Sequence, residues 1–376
     1  MKFYTYKSKT PQSFVSYHFN FLFMKMRLPK LSLLIMIVLG VYFAGCKKDS
    51  PAPNPTPTPT PIVITPPAAF GPYVVGYFPS YRDPATVPDV KFKMCNVVNY
   101  AFANVNASGT VDVLSPTVLI AVAAKARVNN AKIFISVSGN TTDWQNMAAT
   151  AAGRNTFIKS IMDVARQYNL HGVDIDWEFP STSNGTDVTY TALMKELSDS
   201  CHRDAKYYLT AAFTAGKYAG SIRDAIKNEV FGYVDFFNVM AYDDFSTTVP
   251  YKHHSDLALA NTCLNYWLNT RAAPANKCVL GIPAYGRPSG ITQSNTILTY
   301  NGILTQGGDP LKDSAIVTAG GFTNYTIYYN GMYTAKVKAK TAIQRCNGIM
   351  MWEKGQDNHG SSSLLKAVCD TIGRTY

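Results

Sequence analysis

The sequence is poor in charged residues and histidines, and no two of its cysteines have the C-x-x-C spacing. Charged residues make up 16% of the 376 residues, whereas 47% are hydrophobic and 12% aromatic. This composition excludes an intrinsically disordered or fibrous chain and is sufficient to bury a large core. Without C-x-x-C pairs or histidines at metal-ligand spacing, the sequence gives no indication of a zinc site or of any other metal.

Acidic residues are absent from the first 45 positions, where much of the positive charge is found. The formal net charge of the chain is +11, but six basic residues in 1–45 and a net charge of +1 in 46–50 leave only +4 on the remainder. A charge this small does not indicate a nucleic-acid-binding surface.

Residues 24–46 have the layout of an export signal. A basic segment is followed by an apolar stretch, residues 31–45, and then by Cys46. Fifteen apolar residues are too few to span a bilayer comfortably, which disfavours a transmembrane anchor. The segment resembles a bacterial lipoprotein signal, in which cleavage precedes a lipidated cysteine, although Phe43 stands where Leu is usual. We therefore expect lipidation at Cys46 and attachment to a membrane of the cell envelope, either in the periplasm or on the surface.

Three segments are predicted along the chain. Residues 1–45 form an N-terminal extension and signal, with Met24 or Met26 as the more plausible start of translation. Residues 46–67 form a linker, of which residues 51–67 contain eight prolines and no charge. Such a segment stays extended and cannot form a core. Residues 68–376 are expected to fold as one catalytic domain.

The domain alternates strand and helix patterns and is expected to be an α/β protein. Apolar, β-branched or aromatic runs predict eight strands at 74–77, 97–102, 132–137, 173–177, 208–213, 234–242, 279–284 and 348–352. Helical patterns lie at 118–127, 156–168, 190–205, 257–268, 335–344 and 364–371. Eight alternations favour a single (β/α)₈ barrel, because a closed barrel leaves no edge strand. The sequences Tyr300-Asn301-Gly302 and Tyr329-Asn330-Gly331 resemble hairpin turns and predict a small β insertion between the seventh and eighth strands.

Three acids on one predicted strand are the strongest functional signal. Asp174, Asp176 and Glu178 occupy alternate positions, so in a strand they point to one face. Barrel interiors are normally filled by Val, Ile and Leu, so stacked acids there contradict a packing role. Their mutual repulsion and partial burial predict a raised pKa for the outermost acid, Glu178, which suits a general acid. Protons in such a set belong to the coupled group.

The segment from Gly172 to Pro180 resembles the D-x-x-D-x-D-x-E signature of glycoside hydrolase family 18, the chitinases and their relatives. Other motifs of that family follow in the order of the predicted strands, at Val75-Gly76-Tyr77, Tyr100-Ala101-Phe102, Ser136-Val137-Ser138-Gly139, Met240-Ala241-Tyr242-Asp243, Gly281 to Arg287, and Met351-Trp352. The resemblance covers nearly all of residues 73–376.

Two positions depart from the family pattern. His171 stands where the signature has its first Asp, and Ser138 replaces the first Gly of S-x-G-G. Because the three inner acids are intact, we expect His171 to sit behind the chemistry and to affect the hydrogen bonding at the start of the strand.

The resemblance implies substrate-assisted retaining hydrolysis, in which the acetamide of the substrate attacks C1. It implies that Glu178 is the general acid and base, and that Asp176 orients the acetamide and stabilises the oxazolinium charge. It further implies that Asp174 shares a proton with Asp176 and that Tyr242 donates its hydroxyl to the acetamide carbonyl.

The same resemblance implies a substrate-binding set around these acids. Trp352 would form the floor under the reacting sugar, and the remaining members of the set are Tyr77, Phe102, Met240 and Asp243. Ordinary barrel packing is an equal alternative for Tyr77 and Phe102. A helix-capping or loop role is the alternative for Asp243, and a core position is the alternative for Tyr242.

The expected substrate is a β-1,4-linked N-acetylglucosamine polymer or oligosaccharide, cleaved by a monomeric enzyme without a cofactor. Trp177 immediately before Glu178 resembles the chitinase form of the motif. An endo-β-N-acetylglucosaminidase acting on N-glycans and a non-catalytic glycan-binding lipoprotein remain as alternatives, and the presence of Glu178 disfavours the second.

Overall fold

The computed structural model describes residues 63–203 and 205–376. The predicted signal, Cys46 and most of the linker lie outside these residues. The predicted domain boundary at residue 68 also stays a prediction.

Strands and helices alternate along the described chain. The strands are β1 (Tyr73–Pro79), β2 (Val97–Val105), β3 (Val111–Val113), β4 (Lys132–Ser138), β5 (Gly172–Ile175), β6 (Tyr208–Phe213), β7 (Phe236–Val239), β8 (Cys278–Pro283), β9 (Tyr285–Pro288), β10 (Leu298–Thr299), β11 (Ser314–Ala319), β12 (Phe322–Tyr328) and β13 (Gly348–Trp352). The α-helices are α1 (Asp89–Lys93), α2 (Pro116–Val128), α3 (Thr141–Ala148), α4 (Ala151–Gln167), α5 (Thr186–Cys201), α6 (Val230–Tyr233), α7 (Leu257–Leu264), α8 (Tyr300–Thr305), α9 (Met332–Arg345) and α10 (Leu364–Ile372).

Eight parallel strands close into a barrel. Their order is β1, β2, β4, β5, β6, β7, β8 and β13, and β1 pairs with both β2 and β13. The short strand β3 extends the sheet as an antiparallel hairpin on β2. The prediction of a (β/α)₈ barrel is confirmed. Functional residues of such barrels lie at the carboxyl ends of the strands, so we expect the functional site at that rim.

The amino-terminal end of the barrel is filled by aromatic side chains. The rings of Tyr73 and Phe236 lie 4.2 Å apart between centroids, and those of Phe134 and Tyr208 lie 5.7 Å apart. Phe70, in the segment before β1, packs edge-on against Tyr73 and Tyr208. Because this end is apolar and closed, the polar interior of the barrel lies above it, toward the carboxyl ends of the strands.

The predicted β insertion lies between β8 and β13. Its four strands form an antiparallel sheet in the order β10, β9, β12, β11, with the short helix α8 between β10 and β11. The sheet stays close to the barrel because β9 begins two residues after β8 ends.

Both hairpin turns predicted within the insertion are wrong. Tyr300 to Gly302 form the first turn of α8, where Thr299 Oγ1 accepts a hydrogen bond from the Gly302 amide at 2.9 Å. Asn330 is buried and accepts from Lys338 Nζ at 2.8 Å.

The observed hairpin turn of the insertion joins β11 to β12 through Gly320 and Gly321. Both glycines have positive φ, at 63° and 85°. A tight hairpin turn favours this conformation, which is uncommon for residues with a side chain.

The cysteines of the described chain are all free thiols. Cys95, Cys201, Cys263, Cys278 and Cys369 are buried, and Cys346 is half-buried. No helix within residues 63–203 and 205–376 is long and apolar enough to cross a membrane.

Candidate active site

The acid-bearing segment runs along β5 and past its carboxyl end. Asp174 lies within the strand, whereas Asp176 and Glu178 follow its last residue, Ile175. The alternate side chains turn outward to the helices, where Trp177 stacks on Trp144 with ring centroids 5.0 Å apart. The predicted separation of an acidic face from an apolar face is therefore present.

Asp174 lies at the bottom of the site and accepts hydrogen bonds from three different strands. Tyr77 Oη on β1 donates to Oδ2 at 2.7 Å, and Ser136 Oγ on β4 donates to the same oxygen at 2.9 Å. Thr210 Oγ1 on β6 donates to Oδ1 at 2.5 Å. Burial raises the pKa of Asp174 above its usual range, although these hydrogen bonds act in the opposite direction.

Asp176 is buried above Asp174, and its carboxylate has fewer hydrogen-bond donors. Its backbone N–H donates to the carbonyl of Val137 at 2.9 Å, but its Oδ1 has no hydrogen-bond partner among the described residues. Burial raises the pKa of Asp176 well above its usual range, and the charges of Glu178 and Asp174 add to this effect. A buried acceptor without a donor is costly, so this oxygen is available to a ligand N–H or to a shared proton.

Glu178 is the outermost acid and reaches the open side of the barrel. Desolvation by the surrounding protein raises its pKa, and the negative charge of Asp243 raises it further. The side chain is therefore both accessible and biased toward its protonated form, as a general acid requires.

Tyr242 lies just after β7, which is two strands around the barrel from β5. It is half-buried, and burial raises the pKa of its hydroxyl well above the usual range, with further contributions from Asp176 and Glu178. The hydroxyl therefore keeps its proton and can donate a hydrogen bond, and its partner in the structure is Met350 Sδ at 3.9 Å.

Asp243 is tied to the insertion through β9. Its Oδ1 accepts from Tyr285 Oη at 2.7 Å and lies 2.9 Å from Arg287 Nη1. His254 Nδ1 is 3.6 Å from the same oxygen. Burial opposes ionisation, but His254 and Arg287 outweigh it and lower the pKa of Asp243 to about 2. Asp243 therefore favours its ionised form, and its negative charge acts on Glu178.

Aromatic side chains cluster around Trp352, at the end of the strand that lies across the barrel from β5. Trp352 at the end of β13 stacks on Phe102 with centroids 5.5 Å apart and planes 21° apart. Tyr77 contacts the same indole at 5.4 Å. Tyr77 is fully buried, and its hydroxyl donates a hydrogen bond to Asp174. The side chains of Trp352, Phe102 and Met240 are only partly buried. The structure thus brings the predicted floor residues together.

His171 lies at the opposite end of β5 from the exposed acid. Its Nδ1 accepts a hydrogen bond from the Ile133 amide at 3.1 Å, and burial lowers its pKa. This position matches the expectation that His171 sits behind the acids and takes part in the hydrogen bonding at the start of the strand.

Several residues of the site were not assigned a role from the sequence. Ser136, Tyr285 and Arg287 lie inside motifs that resemble those of the family, so the sequence could have indicated a role for them. Thr210 is signalled only by its register, because it pairs directly with Asp174 across the sheet. His254 is buried in a loop and has no sequence signal of its own.

No group of three or more His, Cys, Asp or Glu side chains within residues 63–203 and 205–376 is arranged to hold a metal ion.

The sequence profile of the glycosyl hydrolases family 18 matches residues 73–357. A probable endochitinase from Caenorhabditis elegans is 30% identical over 266 residues, which cover 62% of this chain and 42% of that protein. Chitotriosidase-1 from Mus musculus is 28% identical over 249 residues, which cover 59% of this chain and 52% of that protein. The matched segment thus spans about half the length of these relatives.

Solved structures share the barrel. A family 18 chitinase from the chitin utilization locus of Flavobacterium johnsoniae is 27% identical, with a TM-score of 0.66 over 81% of this chain and 94% of that one. A class V chitinase mutant from Cycas revoluta in complex with (GlcNAc)3 has a TM-score of 0.68 at 23% identity, over 80% of this chain and 100% of that one. The fold, the acid-bearing strand and the profile match lead to one assignment: the chain belongs to the glycosyl hydrolases family 18.

Proposed function

We propose that this protein hydrolyses β-1,4 linkages in N-acetylglucosamine polymers or oligosaccharides, such as chitin. The observation that carries this proposal is the set of three carboxylates along β5 and past its carboxyl end, with Tyr242 just after β7 and Trp352 at the end of β13 on the same rim. Support also comes from relatives named as chitinases and from the chito-oligosaccharide bound to the Cycas revoluta protein.

In the first step Glu178 protonates the glycosidic oxygen. Its accessibility and raised pKa suit this role. After the leaving sugar departs, the resulting carboxylate takes a proton from water, and that water attacks C1.

The nucleophile of the first step is the acetamide oxygen of the substrate. Asp176 is the inward carboxylate with a free acceptor, so it accepts the acetamide N–H and balances the positive oxazolinium. Tyr242 donates its hydroxyl to the acetamide carbonyl and holds it at attacking distance from C1.

Asp174 acts through Asp176. Three hydroxyl donors fix its carboxylate, and both acids have raised pKa values. A proton shared between them can therefore move toward Asp174 when Asp176 must carry charge, as in other coupled carboxylate pairs.

The first prediction concerns the proton donor. Glu178→Gln keeps the shape of the side chain but removes the acidic proton, so kcat on chitin oligomers should fall by about a hundredfold to ten-thousandfold while the oligomer still binds. Glu229→Gln, which changes an exposed glutamate before α6, is the matched control and should behave as wild type. Retention of more than about a tenth of the wild-type rate would remove Glu178 from this role.

The second prediction concerns pH. Asp243→Asn removes the negative charge that helps to raise the pKa of Glu178, so Glu178 should lose its proton more easily and the alkaline limb of the kcat/KM profile should move to lower pH. Asp163→Asn, which changes an exposed aspartate on α4, is the control. An alkaline limb that stays in place, or moves to higher pH, would contradict the electrostatic role of Asp243.

We further propose that the protein is a lipoprotein of the cell envelope, anchored through Cys46. The basic and apolar segment before Cys46 supports this, and the proline-rich linker would hold the barrel away from the membrane.

The third prediction tests this anchor. Cys46→Ala should block both lipidation and signal cleavage, so the mature lipidated N-terminus should disappear from the mass spectrum of the protein purified from a bacterial host. Cys346→Ala, outside the signal, should still be processed. If Cys46→Ala is cleaved at the same site and still partitions into detergent, the proposal is wrong.

A further inference from the structure

Cys278 and Cys346 lie side by side at the amino-terminal end of the barrel, away from the proposed chemistry. Cys278 is the first residue of β8, and Cys346 directly follows the last residue of α9. The amide of Asn347 donates a hydrogen bond to the carbonyl of Cys278 at 2.8 Å. The chain therefore reaches β8 immediately after Cys346, at the point where β13 begins.

The spacing of the two backbone segments fits a disulfide. Paired strands lie about 4.8 Å apart and one residue advances the chain by about 3.3 Å, so this hydrogen bond places the Cα atoms of Cys278 and Cys346 about 5 to 6 Å apart. Disulfides usually join Cα atoms that are about 4.4 to 6.8 Å apart. A bond between the two sulfurs therefore requires no movement of the backbone.

The two side chains also point into the same apolar layer. Cys278 is fully buried in the cluster that contains Leu280 and Ile282, and Cys346 packs against that cluster. Val279, the next residue of β8, belongs instead to the cluster inside the barrel. The Cys278 thiol donates a hydrogen bond to the sulfur of Cys346. The two sulfur atoms are therefore already in contact.

The two thiols differ in reactivity. Their hydrogen bond lowers the pKa of Cys346 and raises the pKa of Cys278 well above its usual range. Cys346 is also half-buried, whereas Cys278 is fully buried. Burial raises the pKa of the other cysteines that the structure describes, which are Cys95, Cys201, Cys263 and Cys369. Because the thiolate is the reactive form, Cys346 is the thiol of this set that is suited to attack an oxidant.

We propose that Cys278 and Cys346 form a disulfide when the protein meets a disulfide oxidant. The Cys346 thiolate attacks one sulfur of the oxidant and releases the other as a thiol. Cys278 then loses its proton, attacks the mixed disulfide at Cys346 Sγ and releases the second thiol. The pair loses two electrons and two protons, and the oxidant is reduced to two thiols. Oxidants of this class belong to oxidising compartments, which include the cell envelope proposed above.

The disulfide closes the segment from Cys278 to Cys346 into a covalent loop. This segment contains β8, the whole insertion and α9. It therefore includes Tyr285 and Arg287, which contact Asp243. A cross-link across a long loop restricts the unfolded chain and stabilises the folded one. The bond thus protects from unfolding the part of the barrel that supports Asp243.

The fourth prediction is a cross-linked pair of peptides from the full-length protein. The protein is equilibrated with oxidised glutathione, its remaining thiols are alkylated, and it is digested with trypsin without reduction. Trypsin cleaves after Lys277 and Arg345, so each cysteine begins its own peptide and neither peptide contains a second cysteine. Mass spectrometry should find the two peptides joined, with a mass two hydrogens below their sum.

Three results of this experiment would overturn the proposal. They are a glutathione retained on Cys346 beside an alkylated Cys278, a cross-link from either residue to another cysteine, and alkylation of both thiols. The experiment uses no substrate, so its outcome is independent of the proposed hydrolysis.

Thermal unfolding gives a second readout that also works on the wild type alone. Once dithiothreitol has removed the cross-linked peptide pair, the Tm of the oxidised wild type should fall by about 3 to 6 °C. In Cys346→Ser the Tm should not respond to dithiothreitol. Cys201→Ser, which changes a buried cysteine on α5, is the matched control and should respond as the wild type does. An unchanged Tm in the wild type, or an equal response in Cys346→Ser, would overturn the proposal.

Discussion

The arrangement of the site depends on placing one carboxylate, Asp174, inside the barrel with its hydrogen bonds satisfied. Ser136 on β4 and Thr210 on β6 are the direct register partners of Asp174 on the two neighbouring strands. Tyr77 reaches the same carboxylate from β1, across the interior. A shift of one residue in any of these pairings would turn a hydroxyl donor out of the barrel and leave a buried acid unsatisfied. The strand register that closes the barrel is therefore also the register that satisfies Asp174.

From Asp174 outward, the environment of each acid changes in a way that suits a different task. Asp174 has three donors, Asp176 keeps a free buried oxygen, and Glu178 reaches the cleft. The insertion affects the environment of Glu178, because Tyr285 and Arg287 on β9 contact Asp243 and favour its ionised form. The insertion thus contributes to the electrostatics of the site.

The barrel could be predicted from the sequence because its strands are short apolar runs at regular spacing. The predicted strands at 208–213 and 348–352 match β6 and β13 in full. The acids could be predicted because period-two alternation in a strand fixes a face. The turns of the insertion could not be predicted from the sequence. At the first, Asn-Gly also fits the start of a helix once Thr299 caps it. At the second, the burial of Asn330 depends on a hydrogen bond from Lys338, which lies on a later helix. The position of His254 beside Asp243 and Tyr285 depends on how the loop after β7 packs against β9.

We propose that the substrate supplies its own nucleophile, the acetamide oxygen, which Asp176 and Tyr242 hold near C1. Anomer-resolved NMR of the first product formed from an N-acetylglucosamine oligomer tests it most directly, with a fully deacetylated oligomer of the same length as the comparison. The new reducing end is expected to form as the β-anomer, and the deacetylated oligomer is expected to resist cleavage. Release of the α-anomer, or equal cleavage of the two oligomers, would contradict it.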